Sequence, residues 1–273
     1  MTQTLVHSEA NADATTHGAP ASNPPRTAGW VLVIGASSGI GRAVARRWAI
    51  AGSDLILAGR DVEDLDRTAA DLRLRFGHRV EVVPLDALAF DAHESFWREC
   101  QSRAEGALGG LVMLHGWLPE QGAAQGDFAL ARRAIDTNFT SAASLLTLAA
   151  NDFQKRGSGF LCVFSSVAGD RGRMSNYVYG SAKAALSAFL SGLRSRMFKV
   201  GVRVLTVKPG FVDTAMTWGL PGLFLVADPD KVASDVYAAV SKGKAEIYTP
   251  WFWRYIMLII KSVPEAVFKR TKL

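Results

Sequence analysis

From residue 29 onward, short apolar runs alternate with longer amphipathic segments, and this alternation constrains the fold more than any other feature. The apolar runs are rich in β-branched residues and read WVLVIG, DLILAGR, VEVVPLD, GLVMLHG, GFLCVFSS, VRVLTVKPG and EIYTP. They are apolar on both faces, as in strands that helices cover on both sides. The segments between them have the length and the apolar spacing of helices, at roughly 39–51, 62–76, 91–105, 128–151, 175–199 and 229–241. The pattern predicts an α/β domain with a doubly wound parallel sheet of about seven strands.

Length and composition favour one folded domain between two distinct ends. The chain has 273 residues, of which 49% are hydrophobic, enough for one buried core. Residues 1–28 lack the basic start and apolar run of a signal peptide, so we expect a disordered leader. We assign residues 29–249 to the domain and residues 250–273 to an amphipathic, basic and aromatic C-terminal helix and tail. Cys100 and Cys162 are expected to be buried thiols, which fits a reducing compartment.

The positive charge is concentrated at the C-terminal end. The formal net charge is +6. Residues 242–273 contain seven basic and two acidic side chains, so the tail carries +5 of that total and the body is nearly neutral. A neutral body lacks the basic surface that binds nucleic acid, and we expect no such partner. No stretch reaches the roughly 18 consecutive apolar residues that a membrane-spanning helix needs.

The first predicted strand is followed by the turn GASSGIG. In doubly wound sheets the ligand lies beyond the carboxyl ends of the strands, where the strand order reverses. Glycines here permit a tight turn and let the backbone approach a pyrophosphate, which the amides of a helix N-terminus then bind. A simple strand-to-helix turn is the alternative for this motif alone. We expect contacts to a dinucleotide cofactor from the turn residues Gly35, Ser37, Ser38, Gly39, Ile40 and Gly41.

The end of the second strand distinguishes NAD from NADP. A carboxylate there would bind the ribose 2′-hydroxyl, whereas an arginine would pair with a 2′-phosphate. The sequence has Gly59 followed by Arg60, which favours NADP(H) and leaves NAD(H) possible. Asp61 is explained as the N-cap of the next helix. Asp86, after the third strand, either meets the adenine or caps a turn.

Tyr179 and Lys183 lie four residues apart in the helix that follows the fifth strand, so they share one helix face. A phenol titrates near pH 10, and the ammonium together with an oxidised nicotinamide ring would lower that pKa. Tyr179 would then act as general acid towards a carbonyl oxygen that Ser166 holds, while hydride reaches the carbon. Asn138 is expected to position a water between Lys183 and solvent. Tyr177 is not expected to be catalytic. If only Tyr179 and Lys183 are considered, the alternative is an ordinary pair of side chains on the surface of a helix.

Together these motifs resemble the short-chain dehydrogenase/reductase family over about residues 29–250. The matching pieces are GASSGIG, YGSAK, KPGFVDT, Asn138 and Ser166. The resemblance implies a Rossmann-like fold, an NAD(P)-dependent oxidoreductase without a metal, and a catalytic tetrad of Asn138, Ser166, Tyr179 and Lys183. It also implies that the nicotinamide end of the cofactor is bordered by Tyr179, Lys183, Pro209, Gly210, Val212 and Thr214.

Two departures from the family pattern lie near the glycine turn. Ile34 replaces the usual threonine before the first glycine, and MLHG at residues 113–116 replaces the usual NNAG. The two changed sites are neighbours in the family fold, so we expect the changes to be coupled and to leave the tetrad intact. His115 and Gly116 are expected to form a wall of the cofactor pocket, with a catalytic His115 as the alternative.

Residues 214–230 follow the nicotinamide side of the site, where the family places its substrate lid. The segment has no charge before Asp228 and is strongly apolar through Met216, Trp218, Leu220, Leu223, Phe224 and Leu225. A polar metabolite would require more hydrogen-bonding groups than this. We therefore expect a substrate that is large and partly apolar.

The stretch TPWFWRYIMLII predicts a helix with Thr249 as N-cap, Pro250 at the first position and an end near residue 262, before Pro264. About 13 residues rise only about 20 Å, less than a bilayer core of roughly 30 Å. Its aromatic and basic residues favour docking on an anionic membrane. The alternative is packing on the chain's own domain or in a homodimer or homotetramer, and both can hold together.

The HG turn and the YTPWFWR segment look like the family branch that includes the polyprenyl-phosphoryl ketopentose reductases. That resemblance implies NADPH-dependent reduction of a ketone on a lipid-linked substrate, with Tyr179 as general acid. It also implies a cytoplasmic protein that is peripheral on the inner face of the membrane. Two alternatives stay open: a reductase of 3-keto acyl or sphingoid lipids, and a non-catalytic NADP-binding membrane adaptor.

Overall fold

A computed structural model describes residues 29–214 and 225–271 of the chain. The predicted leader and most of the predicted substrate lid lie outside the described residues. All seven predicted strands are present and form one sheet. They are β1 (Trp30–Ile34), β2 (Asp54–Gly59), β3 (Val80–Pro84), β4 (Leu108–Met113), β5 (Phe160–Phe164), β6 (Arg203–Pro209) and β7 (Glu246–Thr249).

Helices fill the connections between strands, as predicted, and two short helices, Gln121–Gly126 and Glu265–Phe268, were not predicted. In the described residues the helices are α1 (Gly39–Ile50), α2 (Val62–Phe76), α3 (His93–Arg103), α4 (Gln121–Gly126), α5 (Phe128–Ile135), α6 (Ser141–Arg156), α7 (Tyr177–Phe198), α8 (Pro229–Ser241), α9 (Trp253–Ser262) and α10 (Glu265–Phe268).

The sheet is parallel throughout and has the strand order β3-β2-β1-β4-β5-β6-β7. The order reverses beside β1, which pairs with β2 on one side and with β4 on the other. The loops after β1 and β4 therefore diverge and leave a crevice at the carboxyl ends of these two strands. The predicted doubly wound, Rossmann-like architecture is confirmed.

The core consists of two apolar layers, one on each face of the sheet. Trp97 and Phe153 pack in the layer formed by α3, α6 and α7, whereas Trp48 packs in the layer formed by α1, α2 and α8. Successive strand residues alternate between the layers, as Leu32 and Val33 do in β1. This alternation into two covered faces explains why the strands are apolar at nearly every position.

The long helix predicted at 128–151 is interrupted by a π-helical turn at Asp136–Thr140, between α5 and α6. Asn138, which is 1% exposed, lies in this turn. Its side-chain amide donates to the carbonyl oxygens of Trp117 (2.6 Å) and Ala134 (2.8 Å). These two hydrogen bonds stabilise the wide turn. π-Turns inside helices are uncommon and are frequent at functional sites.

The predicted start of the C-terminal helix is wrong. α9 begins at Trp253 and not at Pro250, and Thr249 does not cap it. Thr249 is the last residue of β7, where its carbonyl oxygen accepts the amide of Gly210 at 3.1 Å and its hydroxyl donates to a carboxylate of α8. Because its hydroxyl is used in this bond to α8, Thr249 does not supply the cap of α9. The predicted end near residue 262 is confirmed.

The C-terminal helix has two different faces. Trp253 and Met257 are buried against the domain, so the packing on the chain's own domain that was kept as the alternative to membrane docking is present. The opposite side carries an outer apolar patch, whose exposed fractions are 70% for Trp251, 59% for Tyr255, 62% for Leu258 and 68% for Ile259. Among the described residues, no helix has the length and apolarity needed to span a membrane.

Candidate active site

The turn after β1 is shaped by glycines that admit no side chain. Gly35 has a φ of +88°, and a Cβ there would lie 2.8 Å from the amide nitrogen of His115. A Cβ on Gly41 would lie 2.3 Å from the carbonyl oxygen of Gly35. The hydroxyl of Ser38 accepts the amide of Gly41 at 3.0 Å and caps α1. This turn therefore brings bare backbone and the positive end of the α1 dipole to the crevice.

A cleft of about 380 Å³ opens beside this turn and is called the dinucleotide cleft below. Seven of the predicted cofactor residues line it: Gly35, Ser37, Ser38, Arg60, Asp86, His115 and Gly116. The cleft is also lined by residues that the sequence did not indicate, notably Ala87, Leu88, Trp117, Arg133 and Thr137.

One end of the cleft lies at the carboxyl end of β2. Arg60 is exposed there and follows Gly59, which has no side chain to obstruct a phosphate. Asp61 accepts the amide of Asp64 at 3.0 Å, so its predicted role as N-cap of α2 is confirmed. Asp86 accepts the amide of Leu88 at 3.0 Å and lines the cleft as well. Its turn-capping role is confirmed, and its contact to adenine stays a prediction.

The two departures from the family pattern meet at the ends of β1 and β4. Ile34 lies opposite Met113 in the strand pairing, and the amide of Leu114 donates to the carbonyl oxygen of Ile34 at 2.9 Å. The sites predicted to be neighbours are therefore neighbours, joined here by apolar packing of Ile34 and Met113 in one core layer. His115 and Gly116 form the cleft wall, as predicted.

Three predicted catalytic side chains come together after β5 and on α7. The hydroxyl of Ser166 accepts the amide of Ala168 at 3.1 Å, and a side-chain hydrogen bond joins Ser166 to the phenol of Tyr179. The Lys183 ammonium lies 5.8 Å from the centre of the Tyr179 ring and donates to the carbonyl oxygen of Phe164 at 3.0 Å. The i, i+4 spacing thus places tyrosine and lysine on the face that meets the end of β5.

Burial sets the pKa values of this group. Burial raises the pKa of Tyr179 to about 12, and the hydrogen bond with Ser166 only partly opposes that rise. Burial also lowers the pKa of Lys183 to about 8. The expected lowering of the Tyr179 pKa is not produced by protein groups alone, because the ammonium bonds to Phe164 and not to the phenol. A phenol that keeps its proton is suited to donating it.

Asn138 and Lys183 meet at Gly116. A Cβ on this glycine would lie 2.7 Å from Oδ1 of Asn138 and 3.4 Å from Nζ of Lys183. Oδ1 of Asn138 also accepts the amide of Trp117 at 3.1 Å, so the asparagine side chain fixes the turn after β4. This position explains why a glycine stands there. A water between Asn138 and Lys183 stays a prediction.

The loop that follows Ser166 is fastened to the C-terminal segment. Nη1 of Arg171 donates to the carbonyl oxygens of Ile260 and Val263, both at 2.6 Å, and Nη2 donates to Glu265 at 3.0 Å. The same guanidinium lies 3.7 Å from the centre of the Phe268 ring. Residues far apart in the sequence thereby hold the tail next to the site, a link that no sequence motif indicated.

An ion cluster around the buried side chains of Lys208 and Asp170 connects the same loop to the end of the sheet. Lys208 in β6 pairs with Asp170 at 2.8 Å and with Glu246 at 2.9 Å, and the Tyr248 hydroxyl donates to Asp170 at 2.7 Å. The two carboxylates raise the pKa of Lys208 despite its burial. The Ser166 loop is therefore held both by the sheet and by the tail.

The remaining predicted cofactor residues are not part of the lining of the dinucleotide cleft. Thr214 reaches the glycine turn, since a Cβ on Gly39 would lie 3.5 Å from its methyl group. Gly210 packs on the tail, because a Cβ there would lie 1.9 Å from Nε1 of Trp253. The predicted residues that do not line the described cleft are Gly39, Ile40, Gly41, Tyr179, Lys183, Pro209, Gly210, Val212 and Thr214.

Arg133 is the charged cleft residue that sequence reasoning missed. It lies on α5, and its guanidinium carbon is 5.4 Å from the centre of the Trp117 ring. Both side chains line the dinucleotide cleft. The available signal was weak: Arg133 precedes Thr137 by one helical turn, but neither residue belongs to a motif with characteristic spacing.

The cleft fits a nicotinamide dinucleotide. Its glycine turn is closed to any Cβ, its volume of about 380 Å³ lies in the usual range of ligand pockets, and it extends from Arg60 to Gly116 beside Lys183. The exposed arginine after β2, in place of a carboxylate, favours NADP(H) over NAD(H).

Comparison with known proteins gives the same result. Residues 29–221 match the short chain dehydrogenase family. An uncharacterized oxidoreductase of Mycobacterium tuberculosis is 38% identical over 88% of this chain and 96% of its own length. An uncharacterized oxidoreductase of Streptomyces coelicolor is 33% identical over 92% of this chain and 97% of its own length.

Solved structures agree with the assignment. A short-chain dehydrogenase from Sphingobium yanoikuyae in complex with NADPH superposes with a TM-score of 0.74, at 27% identity, over 87% of this chain and 97% of its own. Actinorhodin polyketide ketoreductase with NADPH shares the fold, with a TM-score of 0.72 at 22% identity over 81% and 95% of the two chains. The chain is therefore an NAD(P)-dependent oxidoreductase of the short chain dehydrogenase family.

Proposed function

We propose that this enzyme is an NADPH-dependent reductase of a ketone carried on a lipid-linked or otherwise large apolar substrate, preferably a polyprenyl-phosphoryl 2-keto sugar. The observation that carries the reaction is the meeting of Ser166, Tyr179 and Lys183 beside a cleft that fits a dinucleotide. The observation that supports the lipid-borne substrate is the outer apolar patch on a tail fastened to the Ser166 loop.

The roles of the side chains follow from their contacts. NADPH, when bound, supplies the hydride. Tyr179 gives its phenolic proton to the carbonyl oxygen, so that the ketone becomes an alcohol. Ser166 accepts the amide of Ala168, which leaves its own proton for a hydrogen bond to the same oxygen. Lys183, with a pKa of about 8, is largely an ammonium at neutral pH and favours the phenolate that remains. Asn138 holds the wall at Gly116, against which Lys183 rests.

Arg60 is proposed as the partner of the cofactor 2′-phosphate. Replacing it with alanine removes one charge-assisted contact, and we expect NADPH to bind about 10- to 150-fold more weakly while NADH binding changes little. Arg133→Ala is the matched control, because Arg133 lines the same cleft from another helix. Fluorescence titration of both dinucleotides measures the preference. A preference for NADPH that survives Arg60→Ala would show that the assignment is wrong.

The outer apolar patch is proposed to dock on an anionic membrane surface. Its four side chains are about two-thirds exposed, and exposed basic residues, Arg254 and Lys261, flank them. Transfer of such side chains into the acyl boundary yields roughly 1–2 kcal/mol each, or about 4–8 kcal/mol together. Each basic residue adds about 1 kcal/mol on anionic lipid. Docking there would present the site to a substrate whose apolar chain lies in the bilayer.

Point substitutions test this docking better than removal of the tail, because truncation would also remove the buried residues Trp253 and Met257 and uncover the domain surface on which they pack. We expect Tyr255→Gln with Ile259→Gln to release the enzyme from vesicles of phosphatidylglycerol and phosphatidylcholine. Leu74→Gln is the control, since Leu74 is 87% exposed on another helix. Unchanged flotation of the double variant would contradict membrane docking. Loss of a dimer or tetramer in sedimentation, without a change in flotation, would assign the patch to self-association.

The substrate class is tested by NADPH oxidation with three kinds of ketone. We expect the highest kcat/KM with a polyprenyl-phosphoryl 2-keto sugar presented in vesicles, and little turnover of a short water-soluble ketone with the same reacting centre. Equal turnover of the soluble ketone would contradict the lipid requirement. Preference for a 3-keto acyl or sphingoid chain would favour the first alternative. Tight NADPH binding without turnover of any ketone would favour the non-catalytic adaptor.

A further inference from the structure

A pocket of about 350 Å³ lies between the Ser166 loop and the C-terminal tail and is called the tail pocket below. Its walls come from residues 172–177, at the end of the loop and the start of α7, and from residues 265–271 of the tail. In the described part of the chain, no residue lines both this pocket and the dinucleotide cleft. The hydroxyl of Tyr177 donates to Gln125, and we assign it no role in the pocket.

Arg173 is a half-buried cation in the wall of the tail pocket. Its Nη2 donates to the carbonyl oxygen of Val167 at 3.3 Å and lies 3.4 Å from the sulfur of Met257. Because Val167 directly follows Ser166, this guanidinium stands one residue away from the hydroxyl that is proposed to hold the substrate carbonyl. The tail pocket is therefore next to the reacting centre, although it is separate from the cofactor cleft.

The charge of Arg173 has no partner in the described part of the chain. Asp170 pairs with Lys208 at 2.8 Å, and Glu265 in the pocket wall pairs with the guanidinium of Arg171 at 3.0 Å. Nε of Arg173 is buried without an acceptor, whereas Nη1 makes no hydrogen bond within the described residues and is not closed off from solvent. Burial lowers the pKa of this guanidinium, and a partly desolvated cation without an anion is costly.

We infer that the tail pocket binds the phosphate group of a lipid-linked substrate, with Nη1 of Arg173 as the charged ligand. Lys269 lines the same pocket and pairs with no carboxylate of the described residues. The single acid of the wall, Glu265, is neutralised by Arg171, so two positive charges are left for an anion. A guanidinium binds phosphate oxygens through charge-assisted hydrogen bonds. The inference rests on the proposed function, for which it supplies the phosphate site.

The position of the pocket fits a phosphate that joins an apolar chain to the reacting ketone. On the inner side, the guanidinium of Arg173 contacts the loop one residue after Ser166. On the outer side it contacts Met257, which lies on the buried face of α9, opposite the outer apolar patch. A helix is about 10 Å across, so a lipid chain has roughly that distance to pass between the phosphate and the bilayer. Met174, which is 70% exposed, adds apolar surface to the pocket.

Calorimetric titration with farnesyl phosphate tests this site in the full-length protein saturated with NADP⁺. The probe has a phosphate and an isoprenoid chain but no ketone. We expect wild type to bind farnesyl phosphate about 10- to 150-fold more tightly than farnesol, the gain from one charge-assisted contact. Arg173→Met should abolish this preference while NADPH binds within about twofold of wild type, and Arg173→Lys, which keeps the charge, should retain part of it. Arg270→Met is the matched control, because it removes the same charge from an exposed tail residue outside the pocket.

The wild-type comparison does not depend on any variant folding. Equal affinity of wild type for farnesyl phosphate and farnesol, or binding of neither, would overturn the inference, and so would an Arg173→Met protein that keeps the preference. Competition by inorganic phosphate as effective as that by farnesyl phosphate would assign the pocket to a free anion and contradict a lipid-linked ligand.

A lipid headgroup is distinguished from a substrate by flotation on vesicles of phosphatidylglycerol and phosphatidylcholine. We expect Arg173→Met to float as wild type does, because the outer apolar patch is intact. Release of Arg173→Met from these vesicles, with unchanged binding of farnesyl phosphate, would assign the pocket to a headgroup and overturn the inference. Since the probe has no ketone, failure here is distinct from failure of the proposed reductase, which would appear as farnesyl phosphate binding without NADPH oxidation when a lipid-linked ketone is supplied.

Discussion

Trp253→Ala tests whether the C-terminal helix is part of the catalytic domain. Trp253 is 2% exposed, packs with Val167 and Met257, and meets the Phe211 ring edge-on at 5.4 Å between centroids. Replacing a buried Trp or Phe with alanine lowers the unfolding free energy by about 3–5 kcal/mol. The loss lies in the upper half of this range where the surrounding residues cannot move in to fill the cavity. Here one wall is the backbone at Gly210, which collapses less readily than side chains do. We therefore expect a loss of about 4–5 kcal/mol in unfolding free energy.

The matched control is Trp251→Ala, two residues earlier and 70% exposed, which should change the unfolding free energy by less than about 0.5 kcal/mol. Urea unfolding followed by circular dichroism measures both. With a denaturant slope of about 3 kcal/mol per molar, the midpoint should fall by roughly 1.5 M for Trp253→Ala alone. Equal midpoints for the two variants would refute the packing of α9 described above. Since Val167 follows Ser166, we also expect Trp253→Ala to lower kcat more than NADPH affinity.

Three further perturbations follow from the same contacts. Gly210→Ala should lower the unfolding free energy by about 1–3 kcal/mol, and its cost should shrink in a Trp253→Ala background, as a double-mutant cycle would show. Arg171→Met should cost about 2–3 kcal/mol in urea unfolding, against less than about 1 kcal/mol for Glu265→Gln, which removes only an exposed partner. Burial lowers the pKa of His115 to about 3, so the unfolded chain binds a proton that the folded chain does not. As the pH falls from about 6.5 to 3, the unfolding free energy should therefore decrease by up to about 1.4 kcal/mol per pH unit. His115→Asn should weaken this pH dependence.

The periodicity of apolar residues and the spacing of the motifs were sufficient to predict the fold and most of the candidate site. The five inner strands are predictable because they are covered on both faces and are apolar along nearly their whole length. Tyr179 and Lys183 are predictable because a helix fixes the distance between residues four apart. The glycine turn is predictable because Gly35 and Gly41 leave no space for a side chain.

Features that depend on contacts between distant segments were not predictable. The start of α9 was placed too early because Thr249, which the pattern also assigned to the last strand, was taken as the helix cap, whereas its hydroxyl bonds to Asp235 of α8. The fastening of Arg171 to Ile260 and Val263 joins residues about ninety positions apart. The hydrogen bond between His115 and Ser141 likewise joins two residues that no motif places side by side.

The most direct test of the proposed mechanism is single-turnover NADPH oxidation by Tyr179→Phe, compared with Tyr177→Phe. Both tyrosines lie on α7, but Tyr177 is 41% exposed and its hydroxyl donates to Gln125, away from Ser166. We predict that Tyr179→Phe lowers the rate of hydride transfer about 10²- to 10⁴-fold while NADPH binds within twofold of wild type. Tyr177→Phe should keep the wild-type rate. A Tyr179→Phe enzyme that oxidises NADPH as fast as the Tyr177→Phe enzyme would contradict the proposed role of Tyr179 as general acid.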